Sequence, residues 1–124
     1  MRRHWRAFYY VKAQLPASKL KQAILTVLQD YIEFLGDDPN SQLHLIVDEK
    51  NDHYLLLETG WQGEHRIYGS FIHLDIINNK IWIQHDGTEE GVALELTAQG
   101  IDKQQIVLGF KSLERRKITE YAIA

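Results

Sequence analysis

The stretch IHLDIINNKIWIQHDGTE, residues 72–89, decides the fold because it predicts a tight β-hairpin. Two alternating runs flank Asn78-Asn79, and asparagine tolerates the positive φ that a two-residue hairpin turn requires. With these two residues in the loop, the register of the strands follows. The predicted cross-strand pairs are Ile77 with Lys80, Ile76 with Ile81, Asp75 with Trp82, Leu74 with Ile83, and His73 with Gln84.

Alternation then sorts the side chains of the hairpin onto two faces of a sheet. The apolar face is predicted to join the core and carries Ile72, Leu74, Ile76, Ile81 and Ile83. The polar and aromatic face is the first candidate for function and carries His73, Asp75, Lys80, Trp82, Gln84 and Asp86. A slip of one residue would mix the two sets, which supports this register.

Length and composition predict one globular domain. The chain has 124 residues, 44% of them hydrophobic and 25% charged. It has no cysteine, which excludes disulfides and thiol chemistry and fits a cytoplasmic protein. No apolar run approaches the roughly 20 residues of a membrane span, and the apolar run of the basic start, which ends at Lys12, is too short for a secretory signal. We expect residues 1–16 to be a basic N-terminal extension and residues 17–124 to be a single domain.

The net charge of −3 hides an asymmetry along the chain. Residues 1–21 hold six basic residues and no acid, whereas residues 22–124 hold 8 basic and 17 acidic residues, a formal charge of −9 (8 − 17). A body this acidic is not typical of a DNA-binding domain, because contacts with phosphate groups need Lys and Arg. The basic N-terminal residues 1–16, called the basic arm below, leave direct contact with nucleic acid as an alternative.

Residues 17–35 predict an α-helix that packs on the apolar face of the hairpin. Its apolar residues recur at three- and four-residue steps, which is the helical period. Ser18 is the predicted N-cap, and Gly36 is predicted to end the helix in the left-handed conformation before Pro39. The apolar stripe consists of Leu20, Ala23, Ile24, Val27, Leu28, Tyr31 and Leu35.

Two further strands are predicted before the hairpin, over residues 42–49 and 53–59. A three-residue loop between them, residues 50–52, would put their apolar side chains on one face. The resulting pairs are Val47 with Leu55 and Leu45 with Leu57.

The next turn is predicted at Gln62-Gly63, which completes a four-stranded antiparallel meander. It would place Thr59 opposite Arg66 and Leu57 opposite Tyr68. Gly69, inside the long third strand, indicates a bulge or a close contact.

A second, shorter helix is predicted over residues 88–99, with Asp86 or Thr88 as its cap and Gly100 as its stop. The segment IVLGF, residues 106–110, cannot be assigned to strand or helix from its pattern. The predicted fold class is α+β: an N-terminal helix packed on a four-stranded antiparallel meander sheet, followed by a second short helix.

The polar face of the hairpin offers the first candidate chemistry. Its two carboxylates, Asp75 and Asp86, together with His73 could hold a hard cation or carry a proton. Their spacing matches no established metal motif, and a hydrogen-bonded polar surface is the alternative. His85 falls on the apolar face and is predicted to be a core histidine.

Trp61, Trp82 and the C-terminal tail are candidates for binding. Exposed tryptophans are enriched at interfaces, although a helix of the same chain could cover them. The tail, residues 119–124, alternates in polarity and could add as a strand to a partner or to its own sheet, with fraying as the alternative.

Four segments in this order resemble the XisI family, the fdxN-element excision controlling factors of cyanobacteria. They are WQGEHRIYG (61–69), IHLDIINNKIWIQHDGTE (72–89), IVLGF (106–110) and the terminal TEYAIA (119–124). The resemblance implies a small α+β protein with a role in the programmed DNA excision that accompanies heterocyst differentiation. It also implies an XisH-like, nuclease-like protein as the partner. The family has no established catalytic residues, so none is carried over.

The leading hypothesis is therefore a non-enzymatic accessory protein, without a cofactor, that binds an XisH-like partner and reaches DNA only through that complex; a homodimer stays open. The expected interaction surface is His73, Asp75, Trp82, Gln84 and Asp86 with the tail residues Thr119, Glu120 and Tyr121. One alternative is a metal-dependent hydrolase or nuclease that uses His73, Asp75 and Asp86. Another is direct DNA binding through the basic arm and residues 115–117.

Overall fold

The structure, a computed structural model, describes residues 14–124. Most of the basic arm, the predicted extension 1–16, lies outside the described residues. The elements run in the order α1 (Ala17–Leu35), β1 (Ser41–Asp48), β2 (His53–Gln62), β3 (His65–Ile77), β4 (Lys80–Asp86), α2 (Val92–Ala98), a short 3-10 helix (Lys103–Gln105), β5 (Ile106–Val107) and α3 (Leu113–Arg116).

Helix α1 begins and ends where the apolar period predicts. Its N-cap is Pro16, whose carbonyl oxygen accepts hydrogen bonds from N–H groups of the first turn. The prediction of Ser18 as the cap is wrong, because the extended backbone of Pro16 already opens the helix. The prediction of a left-handed Gly36 is also wrong, since its φ is −70° and its ψ is −9°. Glycine is favoured there because a Cβ would lie 2.4 Å from the Ile32 carbonyl oxygen.

Five strands form one sheet in the order β1-β2-β3-β4-β5, one strand more than predicted. The first four are antiparallel, whereas β5 runs parallel to β4, with Ile106 opposite Ile81 and Val107 opposite Trp82. Strand β5 lies in the IVLGF segment. The sequence pattern does not assign this segment, because two residues are too few to show a period. The tail extends the same edge: the Ala122 N–H donates to the Ile106 carbonyl oxygen at 2.9 Å.

The β3–β4 hairpin has the predicted turn, with a φ of 50° at Asn78 and 59° at Asn79. The pairs that are confirmed are Ile77 with Lys80, Ile76 with Ile81, Asp75 with Trp82, and Leu74 with Ile83. Beyond them a β-bulge shifts the register, so that His73 lies opposite His85 instead of Gln84. Gln84 is the extra residue of this bulge.

The β1–β2 loop has four residues, 49–52, one more than predicted. The Asp48 carboxylate stabilises it by accepting a hydrogen bond from a backbone N–H of the loop at 3.2 Å. The extra residue exchanges the two faces of β2, so that Tyr54 and Leu56 are fully buried. The predicted pairs of Val47 with Leu55 and Leu45 with Leu57 are therefore wrong. Leu55 lies opposite Ile46 and Leu57 opposite His44, both half-buried on the other face.

The β2–β3 turn is Gly63-Glu64, one residue later than predicted, with Gly63 at a φ of 62°. The observed pairs are Thr59 with Tyr68 and Trp61 with Arg66, in place of Thr59 with Arg66 and Leu57 with Tyr68. The bulge of β3 lies at Phe71 rather than at Gly69. A Cβ at Gly69 would meet nothing within 4 Å, so this glycine marks no close contact.

Helix α2 is shorter than predicted, because the loop after β4 occupies the first part of residues 88–99. The N-cap is Gly91, so the prediction of Asp86 or Thr88 as the N-cap is wrong, although Asp86 Oδ2 accepts a hydrogen bond from the Val92 N–H at 2.8 Å. Gly100 ends the helical segment with a φ of 93°, as predicted.

Helices α1 and α2 pack on one face of the sheet, the inner face. The strand residues buried there are Tyr54, Leu56, Ile72, Leu74, Ile76, Ile81 and Ile83. The opposite, outer face carries His44, Ile46, His53, Leu55, His73, Asp75, Trp82 and Gln84. Its side chains on β1 and β2 stay exposed or half-buried. Within residues 14–124, no helix is long and apolar enough to cross a membrane.

Candidate functional site

Three side chains meet at the centre of the outer face, where β2 pairs with β3. His53 lies directly opposite Asp75, and His73 lies two residues before Asp75 on the same face of β3. Asp75 is only 7% exposed, and a buried carboxylate needs hydrogen-bond donors. His53 Nδ1 and His73 Nε2 supply them, at 2.6 Å and 2.8 Å from Asp75 Oδ1.

The bulge in β4 adds a fourth side chain to this group. The side chain of Gln84, the extra residue of the bulge, lies on the outer face, where alternation also puts it, and Nε2 donates to Asp75 Oδ2 at 3.2 Å. Both carboxylate oxygens of Asp75 therefore have donors. We call His53, His73, Asp75 and Gln84 the Asp75 cluster. The structure thus brings together three of the residues singled out in the sequence and adds His53.

The carboxylate of Asp75 raises the pKa of His53 above its ordinary value of 6.5. The hydrogen bond to Asp75 is the largest cause and the charge attraction between the two groups is the next, while desolvation of the ring acts in the opposite direction. The folded protein therefore holds a proton on His53 more tightly than the unfolded chain does.

This pKa shift predicts a pH-dependent stability that His53→Gln removes. Because the pKa of His53 is raised on folding, its contribution to the free energy of unfolding is complete below pH 6.5 and is lost as the pH rises through the folded-state pKa. Urea denaturation at a series of pH values, in a buffer with a chelator, should show the difference between the two chains shrinking as the pH rises. The control is His65→Gln, at an exposed hairpin end. A difference that is constant with pH would contradict the assignment.

Because of the same bulge in β4, two predicted placements are wrong. Asp86 was predicted on the outer face with His73 and Asp75, but it lies on the inner side, where its carboxylate accepts a hydrogen bond from the first N–H of α2. His85 was predicted as a core histidine, but it is exposed and lies opposite His73. The predicted set of His73, Asp75 and Asp86 is therefore not assembled, and His53 takes the third position.

Trp82 lies beside the Asp75 cluster, directly opposite Asp75 on β4. It is half-buried, and the guanidinium of Arg116 on α3 lies 5.2 Å from the centroid of its ring. Arg116 Nη1 also donates to the Ile123 carbonyl oxygen at 2.7 Å. One arginine therefore connects the outer face with the C-terminal tail.

The three tail residues predicted to bind a partner take different positions. The hydroxyl of Thr119 donates to the Arg116 carbonyl oxygen at 3.0 Å. Glu120 is exposed and forms an ion pair with Lys103. Tyr121 is half-buried against the core. Of the alternatives for the tail, the structure shows addition to its own sheet, which leaves Glu120 accessible.

A second aromatic cluster lies at the far end of the outer face. The Arg66 guanidinium lies 5.1 Å from the ring centroid of Trp61 and 5.9 Å from that of Tyr68. Trp61 and Tyr68 are 54% and 68% exposed. Only Trp61 of this cluster could be recognised from the sequence, because its stacking partner depends on the register of the β2–β3 hairpin.

An acidic cleft of about 690 Å³ lies between the end of α1 and the loop before α2. Apolar side chains form much of its wall: Val27, Tyr31, Phe34, Leu35 and Phe71. The carboxylates that line it belong to Asp30, Glu89, Glu90 and Glu95. Part of the negative charge of the chain is thus concentrated near this end of α1.

Comparisons with known proteins point to one family. The family model described as XisI protein matches residues 16–123. The crystal structure of an XisI-like protein from Anabaena variabilis ATCC 29413 has a TM-score of 0.75 and 35% identity, covering 86% of this chain and 99% of that chain. The fdxN element excision controlling factor XisI from the same organism has a TM-score of 0.75 and 34% identity, covering 86% of this chain and 97% of that chain. No curated protein gives a significant match.

Proposed function

The chain belongs to the XisI family, and from this membership we propose that it is a non-enzymatic accessory factor of programmed DNA excision that acts by binding an XisH-like protein. The related XisI is named an excision controlling factor, which favours a regulatory role over catalysis. In this proposal the chain reaches DNA only through its partner.

One observation carries the proposal: Trp82 and Arg116 stack where the outer face meets the tail. Tryptophan and arginine are among the side chains most enriched at interface hot spots. The Asp75 cluster lies beside them and offers polar groups that fix the orientation of a partner. The proposed contact surface is His73, Asp75, Trp82 and Gln84 with Thr119, Glu120 and Tyr121; Asp86 is left out because it faces the inner side.

The charge of the chain suits a basic partner. Residues 22–124 carry a formal charge of −9, from 8 basic and 17 acidic residues. Complementary charge speeds association and suppresses wrong partners more than it adds affinity. A nuclease-like protein is expected to have a basic DNA-binding surface, which an acidic body can approach or occupy.

Direct DNA binding has less support from the described residues. Of the basic run 115–117, Arg116 is engaged with Trp82 and the tail, and Lys117 Nζ lies 3.2 Å from a carboxylate oxygen of Glu114. This run therefore does not present three cations to phosphate groups.

We predict that Trp82→Ala weakens binding to the XisH-like partner by about 30-fold, because a hot-spot side chain contributes about 2 kcal/mol or more. Co-expression followed by size-exclusion chromatography with light scattering detects the complex and also reports a homodimer. Isothermal titration calorimetry with the purified partner then gives the affinity.

Trp61→Ala is the matched control, since it removes the same side chain from the far end of the outer face. It should leave the affinity unchanged, whereas deletion of residues 119–124 should lower it. If Trp82→Ala and the deletion both leave binding intact, the surface is assigned wrongly. If the unmodified chain forms no complex with the XisH-like protein, the partner itself is wrong.

A further inference from the structure

We propose that the Asp75 cluster is a binding site for one divalent transition-metal ion of the zinc class, held by His53 Nδ1, His73 Nε2 and Asp75 Oδ1. The site differs from the set predicted from the sequence, since His53 replaces Asp86. The proposal concerns binding of the ion and assigns no reaction to it.

The geometry of the three donor atoms is close to that of a bound ion. All three lie within 4.8 Å of one another, and both ring nitrogens already converge on Asp75 Oδ1. In a tetrahedral zinc site with bonds of about 2.0–2.2 Å, neighbouring donor atoms lie about 3.3 Å apart. Each ring nitrogen would therefore retreat from Asp75 Oδ1 by about 0.5–0.7 Å, within the reach of small side-chain rotations.

The donor types select the ion. Imidazole nitrogens suit Zn²⁺, Ni²⁺ and Co²⁺, whereas Mg²⁺ and Ca²⁺ prefer sites built from oxygen atoms. Three protein donors leave further coordination positions for water or for a group of another molecule. The side chains of His53 and His73 are 47% and 31% exposed, so an ion can enter from the solvent side of the outer face.

The surroundings fix the donors in place. Adjacent, paired strands hold His53 and Asp75, and His73 is on the same strand as Asp75, so the backbone spacing of the donors is rigid. Gln84 Nε2 bonds to Asp75 Oδ2 and thereby turns Oδ1 towards the two rings. Such outer partners of a ligating carboxylate tune metal affinity. An ion would also join β2 to β3 and thus stabilise the folded chain.

The competing state is a cluster held by protons alone, and it predicts different behaviour. Without an ion, each ring nitrogen that faces Asp75 donates its hydrogen to the carboxylate. To ligate an ion, that nitrogen must give up its hydrogen: a neutral ring moves it to the other ring nitrogen, and a protonated ring releases one proton to the solvent. A purely hydrogen-bonded cluster shows no saturable metal binding.

The test is isothermal titration calorimetry of the full chain, freed of metal with a chelator, against ZnCl₂. We expect saturable binding of one ion per chain and a rise in the melting temperature. His53→Gln and His73→Gln should each weaken the affinity by more than about 100-fold, because even outer partners of metal ligands contribute about 10–100-fold. Gln84→Leu should weaken it by about 10–100-fold. CoCl₂ should give d–d absorption bands that these substitutions abolish.

His65→Gln, at an exposed histidine outside the cluster, is the matched control and should leave the affinity unchanged. MgCl₂ should not compete. Circular dichroism checks that each variant folds. If His73→Gln unfolds, the test rests on His53→Gln, because the side chain of His53 is half-exposed. Absence of saturable Zn²⁺ binding, or equal binding by the His53→Gln chain, would overturn the proposal. The assay of binding to the XisH-like protein, run with and without Zn²⁺, tests the proposed function separately from the metal site. Loss of one result does not decide the other.

Discussion

Gly60→Ala is expected to destabilise the protein by about 3 kcal/mol, at the upper end of the usual range for forced overpacking. Gly60 lies on β2 opposite Ser41, where the chain enters β1. An added Cβ would lie 2.0 Å from the Asn40 carbonyl oxygen and 2.8 Å from Ser41 Cα. Both are backbone atoms, so β1 must move, and the Trp61 N–H would lose its 2.9 Å hydrogen bond to Asn40. Urea denaturation of both chains measures the difference.

Gly69→Ala is the matched control, because the added Cβ would meet nothing within 4 Å. Alanine loses less backbone entropy than glycine in a strand, so this variant should be as stable as the unmodified chain or more stable by about 0.5 kcal/mol. Equal effects of the two substitutions would show that the close approach of β1 to Gly60 is not what limits stability.

Helix α1 and the β3–β4 turn could be predicted because each has a local cause. The helix repeats its apolar stripe over 19 residues, and Asn78-Asn79 supplies the two positive φ angles of the hairpin turn. The confirmed pairs of that hairpin follow from the turn alone. They place Asp75 and Trp82 side by side without any tertiary information.

The Asp75 cluster could be predicted only in part, because single-residue shifts in the registers of neighbouring strands decide which side chains join it. Residues 54–57, YLLL, include no charged or amide side chain, so alternation does not decide which of them face the core. The four-residue 49–52 loop turns His53 to the outer face, and the Gly63-Glu64 turn together with the bulge at Phe71 sets it opposite Asp75. One extra residue in β4 leaves Gln84 on the outer face but turns Asp86 to the inner one.

Strand β5 and the docked tail could not be predicted, because their cause is not local. Ile106 and Val107 are a strand only because the edge of β4 offers free backbone groups to pair with. Ala122 then pairs with the new edge in the same way. The stacking of Arg116 on Trp82, which carries the proposed partner surface, depends on both of these steps.

Gln105→Glu is expected to destabilise the protein by about 4 kcal/mol at neutral pH, the cost of leaving a buried charge uncompensated. Gln105 is 1% exposed and precedes β5. Its Nε2 donates to the carbonyl oxygens of Leu15 and Asn79, each at 3.1 Å, and its Oε1 accepts from the Leu15 N–H at 2.9 Å. One amide therefore connects the start of α1, the β3–β4 turn and the sheet edge. In the variant, one carboxylate oxygen still accepts from the Leu15 N–H, but the other faces the carbonyl oxygens of Leu15 and Asn79 and repels them.

The pH dependence distinguishes this charge effect from a packing defect. Burial and the two carbonyl oxygens should raise the pKa of the introduced carboxyl above about 4.3, its usual value. For an acid with a raised pKa, the loss of stability is small below the unfolded-state pKa and grows as the pH rises through the folded-state pKa. Urea denaturation should therefore show a smaller deficit at about pH 4 than at about pH 7. Gln62→Glu, at an exposed glutamine, should change the stability by less than about 0.5 kcal/mol at either pH. An equal deficit for Gln105→Glu at both pH values would mean that shape, not charge, makes the amide necessary there.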